Sequence, residues 1–348
     1  MKKKYLYNQK NKNELIEILK HEKFKRLTIS FYKYVELDDL ESLRDQLYFS
    51  WKKLNILGRV YISKEGINAQ ISIPENELIN FKKILSLNNT INPDSIKNAL
   101  EDGKSFYKLS IKIKNEIVAY NLPENEYDLN KTGKHLNYKD YNQAIDDGAI
   151  VIDIRNHYES EVGKFNGAIT PDVDKSEDLL PEIKKMLKNN KDDKILMYCT
   201  GGIRCEKASA YLIHNGFKDV NQLQGGIIQY AHDVKKYNVK SKFIGKNYVF
   251  DHRLGERVTD DVLSNCHQCN QTSDQHINCS NQACHILFIQ CKKCSIKYNG
   301  CCSKKCKEFI KLPIEKQKQL FKTGDFLFNA QKSNRVKPKL YDLINYLK

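Results

Sequence analysis

The first third of the chain alternates strand-like and helix-like patterns of apolar residues. Apolar positions spaced as on a β-strand predict four strands, at residues 26–35, 58–63, 67–73 and 105–114. Helical spacing of apolar positions predicts helices over 37–55 and 75–87. The resulting order, βαββαβ, is typical of a ferredoxin-like domain. We therefore expect such a domain over residues 26–121, preceded by an N-terminal extension over residues 1–25.

A second patterned region follows a polar segment. Residues 122–137 are polar and contain proline and glycine, which predicts a linker. Beyond it, the apolar runs that begin at Ile150 and Ile195 predict short strands. The pattern from Glu206 to His214 predicts a helix, and the Asn-Gly pair that follows is a typical helix stop.

Length and charge narrow the possible roles of the chain. At 348 residues it is long enough for two or three domains with substantial cores. No apolar run approaches membrane-spanning length, and the basic start MKKKYLYNQKNKN lacks a secretion signal, so we expect a cytoplasmic protein without membrane contact. The formal net charge of +15 indicates a polyanionic partner, although a lysine-rich solvated surface would give the same balance.

The stretch ILMYCTGGIRCEKASAYL, residues 195–212, joins a strand to a helix through a glycine-containing loop. Cys199 follows the strand, Gly201 and Gly202 permit a tight turn, and the helix N-terminus presents amide groups and a positive dipole end. A cysteine in such a position is stabilised as the thiolate, which is the nucleophile. Arg204 lies one residue closer than in the wider loop of cysteine phosphatases, which favours a persulfide or a reacting thiolate over a phosphoryl group. The alternative is a core cysteine beside a glycine turn.

The C-terminal region is rich in cysteine. Of the eleven cysteines in the chain, eight form short pairs: Cys266 with Cys269, Cys279 with Cys284, Cys291 with Cys294, and Cys302 with Cys306. In a cytoplasmic protein these pairs indicate two zinc sites of four thiolates each, which are structural because no coordination position stays open. The first pair could share an ion with the third and the second with the fourth, or neighbouring pairs could share one.

Other interpretations of the cysteines are disulfides, unpaired thiols or an iron–sulfur cluster, although the spacing fits no familiar cluster motif. His267, His276 or His285 could replace a cysteine ligand. Cys301 is left over, and the sequence does not decide whether Cys301 or Cys302 is a ligand.

Basic residues dominate the tail, residues 303–348. They are Lys304, Lys305, Lys307, Lys311, Lys316, Lys318, Lys322, Lys332, Arg335, Lys337, Lys339 and Lys348, opposed by Glu308, Glu315, Asp325 and Asp342. Aromatic residues are interleaved with them: Phe309, Phe321, Phe326, Phe328, Tyr341 and Tyr346. Such aromatics could stack on RNA bases, or they could simply pack helices against one another.

Two resemblances organise these regions. The segment IVIDIRNHYESEVGKFNGAI, with Asp153 and Arg155, together with the Cys199 loop and NQLQGGIIQYAHD, resembles the rhodanese domain over about residues 138–238. This resemblance implies an α/β fold with a parallel sheet and an active loop at the carboxyl ends of its strands. The three regions in this order, with MYCTGGIRCEKASAYL, GGIIQY, FIGKNYVFD and NGCCSKKC, resemble the bacterial rhodanese-containing tRNA uridine hydroxylases over nearly the whole chain.

That family resemblance implies a reaction and a partner. The reaction is oxygen-dependent formation of 5-hydroxyuridine at the wobble position of tRNA, with O2 as co-substrate and the tRNA anticodon loop as partner. Protein partners are unknown. Cys199 would be the catalytic cysteine, in rhodanese terms a persulfide carrier, and Arg204 would steady its anionic sulfur. The active loop would comprise Thr200, Gly201, Gly202 and Ile203. Residues 239–348 would form a basic, cysteine-rich module with a helical tail.

The residues alone do not predict hydroxylation. The chain has no glycine fingerprint for a flavin or nicotinamide, and no set of two histidines and a carboxylate for iron. The Cys199 loop favours sulfur chemistry, so the second hypothesis is a sulfurtransferase that passes persulfide sulfur to tRNA or another acceptor. The third is a non-catalytic RNA-binding module. Cys205, beside Arg204, is expected to pack at the helix start or to act as a resolving thiol.

Overall fold

The computed structural model describes residues 6, 8, 10–101, 103–173 and 176–323. Its N-terminal part is built around one five-stranded sheet in the order β4-β1-β3-β2-β5. The elements are α1 (Lys12–Lys20), β1 (Arg26–Tyr34), α2 (Leu40–Lys53), β2 (Leu57–Ser63), β3 (Gly66–Pro74), α3 (Leu78–Leu87), β4 (Lys97–Asn98) and β5 (Leu109–Ile113). Neighbouring strands are antiparallel except β2 and β5, which are parallel.

The last strand of the predicted βαββαβ order occupies a different edge of the sheet from the one it has in a ferredoxin-like domain. Residues 109–113 form β5, but β5 pairs with β2 instead of lying beside β1. The place beside β1 is taken by β4, which pairs with Ile29 and Ser30. At two residues, β4 is too short to produce the alternation that identifies a strand in a sequence. The sheet is therefore ferredoxin-like in four strands, with β5 added as a parallel edge.

The helices α2 and α3 cover one face of this sheet. The rings of Trp51 and Phe81 meet edge to face at a centroid distance of 5.4 Å, and both contact Phe31 of β1. All three side chains are buried, and aromatic pairs of this geometry stabilise a core beyond the area they bury. Because side chains alternate along a strand, the residues between these core positions point to the opposite face.

The central part is an α/β unit around a four-stranded parallel sheet in the order β6-β10-β9-β7, which confirms the predicted parallel sheet. Its first strand lies inside the segment expected to be a linker. The elements are β6 (Lys134–Leu136), α4 (Tyr138–Asp146), β7 (Ile150–Asp153), α5 (His157–Ser160), β8 (Gly163–Phe165), α6 (Ser176–Met186), β9 (Lys194–Tyr198), α7 (Ile203–His214), β10 (Asp219–Leu223) and α8 (Gly226–Lys236).

A buried ion pair at the end of β7 is linked to β9 by a hydrogen bond from Tyr198. Arg155 donates from Nε and Nη2 to the Asp153 carboxylate at 2.9 and 2.7 Å, and the Tyr198 hydroxyl donates to the same carboxylate at 2.7 Å. Arg155 Nη2 also donates to the carbonyl of Gly163 at 2.6 Å. A buried ion pair offsets the cost of its desolvation only when further hydrogen bonds satisfy both groups. Here those bonds involve Tyr198 of β9 and Gly163 of β8, so the network links β7 to both strands.

The C-terminal part begins with a strand that extends the central domain. It consists of β11 (Phe243–Asn247), β12 (Glu256–Arg257), β13 (His276–Asn278), β14 (Leu287–Ile289), α9 (Lys292–Tyr298), α10 (Lys304–Phe309) and α11 (Ile314–Thr323). β11 pairs with β8 and with β12, and β13 pairs with β14, all antiparallel. Among the described residues, no helix has both the length and the apolar character needed to span a bilayer.

Candidate functional site

The loop that carries Cys199 lies between β9 and α7, at the carboxyl edge of the parallel sheet. The start of α8 holds it in place, because the amides of Ile227 and Ile228 donate to the carbonyls of Cys199 and Thr200 at 3.0 and 3.1 Å. Gly226 adopts φ +67°, and a Cβ there would lie 2.6 Å from the Cys199 carbonyl oxygen. The close approach of α8 to the loop therefore requires glycine at this position.

The Cys199 thiol is fully buried, and its surroundings favour the ionised form. The amide of Gly202 donates to Sγ at 3.1 Å. Burial by itself raises the pKa of Cys199. A hydrogen bond from Cys205, the positive charge of Arg204 and the amides of Arg204 and Gly202 outweigh burial and lower that pKa to about 6. Cys199 is therefore mainly a thiolate at neutral pH, the form that reacts as a nucleophile.

Arg204 acts on the sulfur through its charge and its main-chain amide, while its guanidinium binds a neighbouring carboxylate. Nη1 and Nη2 donate to the two carboxylate oxygens of Glu159 at 2.6 and 2.8 Å. Nη2 also donates to Thr200 Oγ1 at 3.2 Å. Because Glu159 is fully buried, this bidentate pair fixes the position of the positive charge beside the loop.

Cys205 lies in the first turn of α7 and is fully buried. Burial and the neighbouring Cys199 raise the pKa of the Cys205 thiol well above its usual value. Cys205 therefore keeps its proton and can donate it in a hydrogen bond to the Cys199 sulfur. This contact combines packing at the helix start with a direct influence on the loop thiol.

A cavity of ≈ 380 Å³ lies beside the Cys199 loop. Its walls come from three parts of the chain: the face of the N-terminal sheet that carries Tyr32, the loop from Cys199 to Arg204, and the segment after β11 that includes Phe250 and Arg253. Its volume lies in the range of small-ligand sites in proteins. Cys199 lines this half-open cavity, and its side chain is itself fully buried.

Polar contacts between the N-terminal and central parts fix the walls of this cavity. The Tyr32 hydroxyl donates to Glu206 Oε1 at 2.9 Å. The fully buried Lys207 ammonium contacts both Glu65 and Glu116 at 2.7 Å. Buried charges of this kind need their partners, so separating the two parts would leave an unpaired ammonium in the interior.

The sequence did not identify the sheet residues of the cavity. Asn68 and Gln70 line it, together with Tyr32 and Tyr61 on neighbouring strands. They alternate with buried apolar residues, which predicts that they share a face but not what that face lies against. Glu159 was part of the rhodanese-like motif, yet its pairing with Arg204 depends on the tertiary fold.

The eight paired cysteines form two clusters in interleaved order. Within each cluster the four sulfur atoms lie within 4.8 Å of one another: Cys266, Cys269, Cys291 and Cys294 in the first, and Cys279, Cys284, Cys302 and Cys306 in the second. The sulfurs of Cys269 and Cys291 are 3.6 Å apart, and those of Cys284 and Cys302 are 3.7 Å apart. Four thiolates around one tetrahedral ion at a zinc–sulfur distance of about 2.3 Å would be about 3.8 Å apart. Both clusters could therefore bind a metal ion.

The interleaved order answers several questions that the sequence left open. The first pair joins the third and the second joins the fourth, and Cys302 belongs to a cluster whereas Cys301 does not. Within the described chain, no histidine belongs to either cluster. His267 instead contacts Glu161 at 2.5 Å.

The basic residues of the C-terminal part differ in their surroundings. In the segment 242–257, every lysine and arginine contacts a carboxylate: Lys242 with Asp146, Lys246 and Arg257 with Asp274, and Arg253 with Asp251 and Glu256. Lys304 and Lys305, at the start of α10, are exposed. Several tail residues lie outside the described residues: Lys332, Arg335, Lys337, Lys339, Lys348, Asp325, Asp342, Phe326, Phe328, Tyr341 and Tyr346.

Comparison with known proteins places three families along the chain. Residues 26–117 match the UPF0176 acylphosphatase like domain, residues 137–233 the Rhodanese-like domain, and residues 244–307 the Rhodanase C-terminal family. The chain is 49% identical over 345 residues to the tRNA uridine(34) hydroxylase of Leptospira interrogans, covering 98% of this chain and 94% of that protein. It is 48% identical to the protein of that name from Yersinia enterocolitica, covering 90% of each chain. For Yersinia pestis the identity is 47%, over 90% of this chain and 89% of the relative.

Proposed function

Because the chain belongs to the tRNA uridine(34) hydroxylase family, we propose that it converts the wobble uridine of tRNA to 5-hydroxyuridine in an oxygen-dependent reaction. Because its substrate would be tRNA, we also propose that the protein acts in the cytoplasm. The observation that carries the proposal is the position of Cys199, whose loop lowers the pKa of its thiol, beside a cavity lined by all three parts of the chain.

The cavity supports a reaction on a single base. A wobble uridine lies in a single-stranded loop, so its base can leave the stack and enter a pocket. A pocket of ≈ 380 Å³ is small beside a tRNA, so it accepts one nucleotide and the rest of the tRNA binds elsewhere. Burial of the Cys199 side chain keeps bulk water away from its sulfur and strengthens the electrostatic contacts around it.

In this proposal Cys199 is the reacting group and the rest of the loop stabilises its charge. The Gly202 amide and the Arg204 charge stabilise the anionic sulfur, and Glu159 holds the Arg204 guanidinium in position. Thr200 accepts a further hydrogen bond from Arg204. Gly201 and Ile203 complete the turn between strand and helix, and both line the cavity.

The two cysteine clusters are proposed to be structural zinc sites. Four thiolates within tetrahedral distance of one another suit zinc and leave no position for water or substrate. Zinc bound there would fold the C-terminal part rather than take part in the reaction, because binding energy at such a site is largely folding energy.

The groups that stabilise an anionic sulfur at Cys199 also favour a second candidate function. The Gly202 amide and the Arg204 charge would stabilise a persulfide as well as a thiolate. A persulfide is also the intermediate that the match to the Rhodanese-like domain suggests. A sulfurtransferase acting on tRNA is therefore the alternative.

Nucleoside mass spectrometry of tRNA from cells that lack the protein tests these functions. We expect loss of 5-hydroxyuridine and its derivatives, with restoration by the wild-type gene and not by Cys199→Ser, because a hydroxyl is far less acidic and less nucleophilic than a thiol. Loss of a thiolated base would identify a sulfurtransferase instead. Unchanged modification would leave an RNA-binding role.

A further inference from the structure

One wall of the cavity is a regular polar surface on the N-terminal sheet. In the register of the strands, Ser30 lies beside Gln70, which lies beside Arg59. One step along, Tyr32 lies beside Asn68, which lies beside Tyr61. All six residues line the cavity. The two amide side chains are therefore neighbours on β3, at the centre of this wall.

The amide of Asn68 is held in one orientation. Its Nδ2 donates to the main-chain carbonyl of Ile117 at 3.3 Å. The reverse orientation would place Oδ1 against that carbonyl oxygen, two acceptors facing each other. The Ile117 segment is itself fixed, because its amide donates to Glu65 Oε1 at 2.7 Å. Asn68 therefore presents a hydrogen-bond acceptor, Oδ1, for which no partner exists among the described residues.

Gln70 supplies the complementary group. In the described part of the chain its side-chain amide makes no hydrogen bond, and the residue is half-buried in the cavity wall. A free amide offers both a donor and an acceptor. Polar groups left unpaired in a half-enclosed wall are groups that a ligand can satisfy.

Uracil carries the matching pattern along one edge. Its N3–H is a donor, and the carbonyl oxygens on either side of N3 are acceptors. Cytosine lacks the N3 proton, so its N3 is an acceptor. In the same position, cytosine N3 and Asn68 Oδ1 would be two acceptors facing each other, which is unfavourable. In the ring, N3 lies opposite C6, and C5 is bonded to C6. A base whose N3 contacts β3 therefore turns its C5–C6 edge away from the sheet and into the cavity that Cys199 also lines.

We propose that Asn68 and Gln70 select uracil in this cavity, with Asn68 Oδ1 accepting the N3–H and the Gln70 amide donating to a neighbouring carbonyl oxygen. The ring of Tyr61, beside Asn68, offers a face on which the base can stack. The inference rests on the proposed function, to which it adds the residues that recognise the base.

Binding of anticodon stem-loop RNAs to the full-length protein tests this assignment. Three RNAs are compared, with uridine, cytidine or N3-methyluridine at position 34. We expect wild-type protein to prefer uridine over the other two by about tenfold, the discrimination that the absence of one such pairing gives. Asn68→Ala should remove the preference for uridine, because uridine loses its hydrogen bond and the N3 atoms of the other two bases no longer face Oδ1. Gln70→Ala, which leaves the Ile117 contact intact, should weaken uridine binding without making cytidine equivalent.

The control is Asn80→Ala on α3, whose side chain is exposed, contacts Glu77 and does not line the cavity. It should keep the wild-type preference, and thermal unfolding of each variant separates loss of recognition from loss of fold. If folded Asn68→Ala and Gln70→Ala both keep the full preference for uridine, the assignment is wrong. The proposed hydroxylase function is tested separately: unchanged 5-hydroxyuridine in tRNA from cells lacking the wild-type gene would contradict it. That result does not depend on the relative affinities for the three RNAs.

Discussion

At the scale of single residues, the character of Cys199 results from opposing effects. A buried thiol normally resists ionisation, because the charged form loses its hydration. In this loop the neighbouring thiol, the guanidinium held by Glu159 and two main-chain amides reverse that tendency, and the pKa falls to about 6. The neighbours of Cys199 thus favour its thiolate form before any substrate binds.

The pH dependence of the thiolate tests this arrangement. Thiolate absorbance near 240 nm, taken as the difference between wild type and Cys199→Ser, should rise with pH around a midpoint of about 6. Below that midpoint the thiol is protonated, so hydroxylation should fall as pH decreases through it. Cys205→Ala should move the midpoint to higher pH, because it removes the hydrogen bond that Cys205 donates.

Cys205→Ser is the matched control, because its hydroxyl can still donate to the sulfur. It should leave the midpoint near the wild-type value and keep tRNA hydroxylation. A midpoint that stays the same in Cys205→Ala would contradict the role assigned to this thiol. Loss of hydroxylation in Cys205→Ser with an unchanged midpoint would indicate a resolving thiol instead.

At the scale of elements, the start of α8 determines the shape of the loop. Gly226→Ala should displace the Cys199 and Thr200 carbonyls, since a Cβ there would lie 2.6 and 2.7 Å from their oxygens. We expect this substitution to abolish hydroxylation. It should also lower the free energy of unfolding, measured by denaturant titration, by more than a positive φ alone would, because the clash adds to the backbone strain.

Gly167→Ala isolates that backbone strain. Gly167 has a similar φ of +72°, but nothing lies within 4 Å of the Cβ position. An alanine there should cost about 1–2 kcal/mol, the usual penalty for a left-handed backbone with a side chain, and should keep activity. Equal effects of the two substitutions would mean that α8 does not need close contact with the loop.

Elements with strong local signals were predictable, and those set by tertiary contacts were not. The strand before Cys199 and the helix after it have clear apolar periodicity and a glycine turn between them, so the sequence located both. β4 has two residues and exists because Ile29 and Ser30 of β1 offer free backbone groups. Asn68 and Gln70 follow ordinary strand alternation, and only the docking of two domains makes their face a cavity wall.

At the scale of the whole molecule, each of the two cysteine clusters brings together two segments of the C-terminal part that are separated in sequence. That part has only short strands and helices, so a metal ion would supply much of its folding energy. We expect two zinc ions per chain by elemental analysis of reduced protein. Cys302→Ser should remove one of them, whereas Cys301→Ser, at the adjacent residue outside both clusters, should keep both. Protein without stoichiometric metal would overturn the zinc proposal.

The tRNA must also contact surfaces outside the cavity, and the charges of the C-terminal part indicate which. The basic side chains of segment 242–257 are paired with carboxylates, so their positive charges are already balanced within the protein. Lys304 and Lys305 are exposed at the start of α10. Lys307 is less exposed than these two lysines and is left out of the test.

Replacing both Lys304 and Lys305 by glutamate should therefore weaken tRNA binding and reduce its salt dependence. For every phosphate that no longer binds a lysine, the slope of log affinity against log salt should become shallower by roughly 0.7–0.9, because fewer counterions are released on binding. The pKa of Cys199 should not change. The control replaces Lys82 and Lys83, exposed on α3, by glutamate; it alters the net charge equally and should leave the slope at its wild-type value. If both double variants reduce affinity to the same extent, the effect is one of overall charge, and α10 does not bind tRNA.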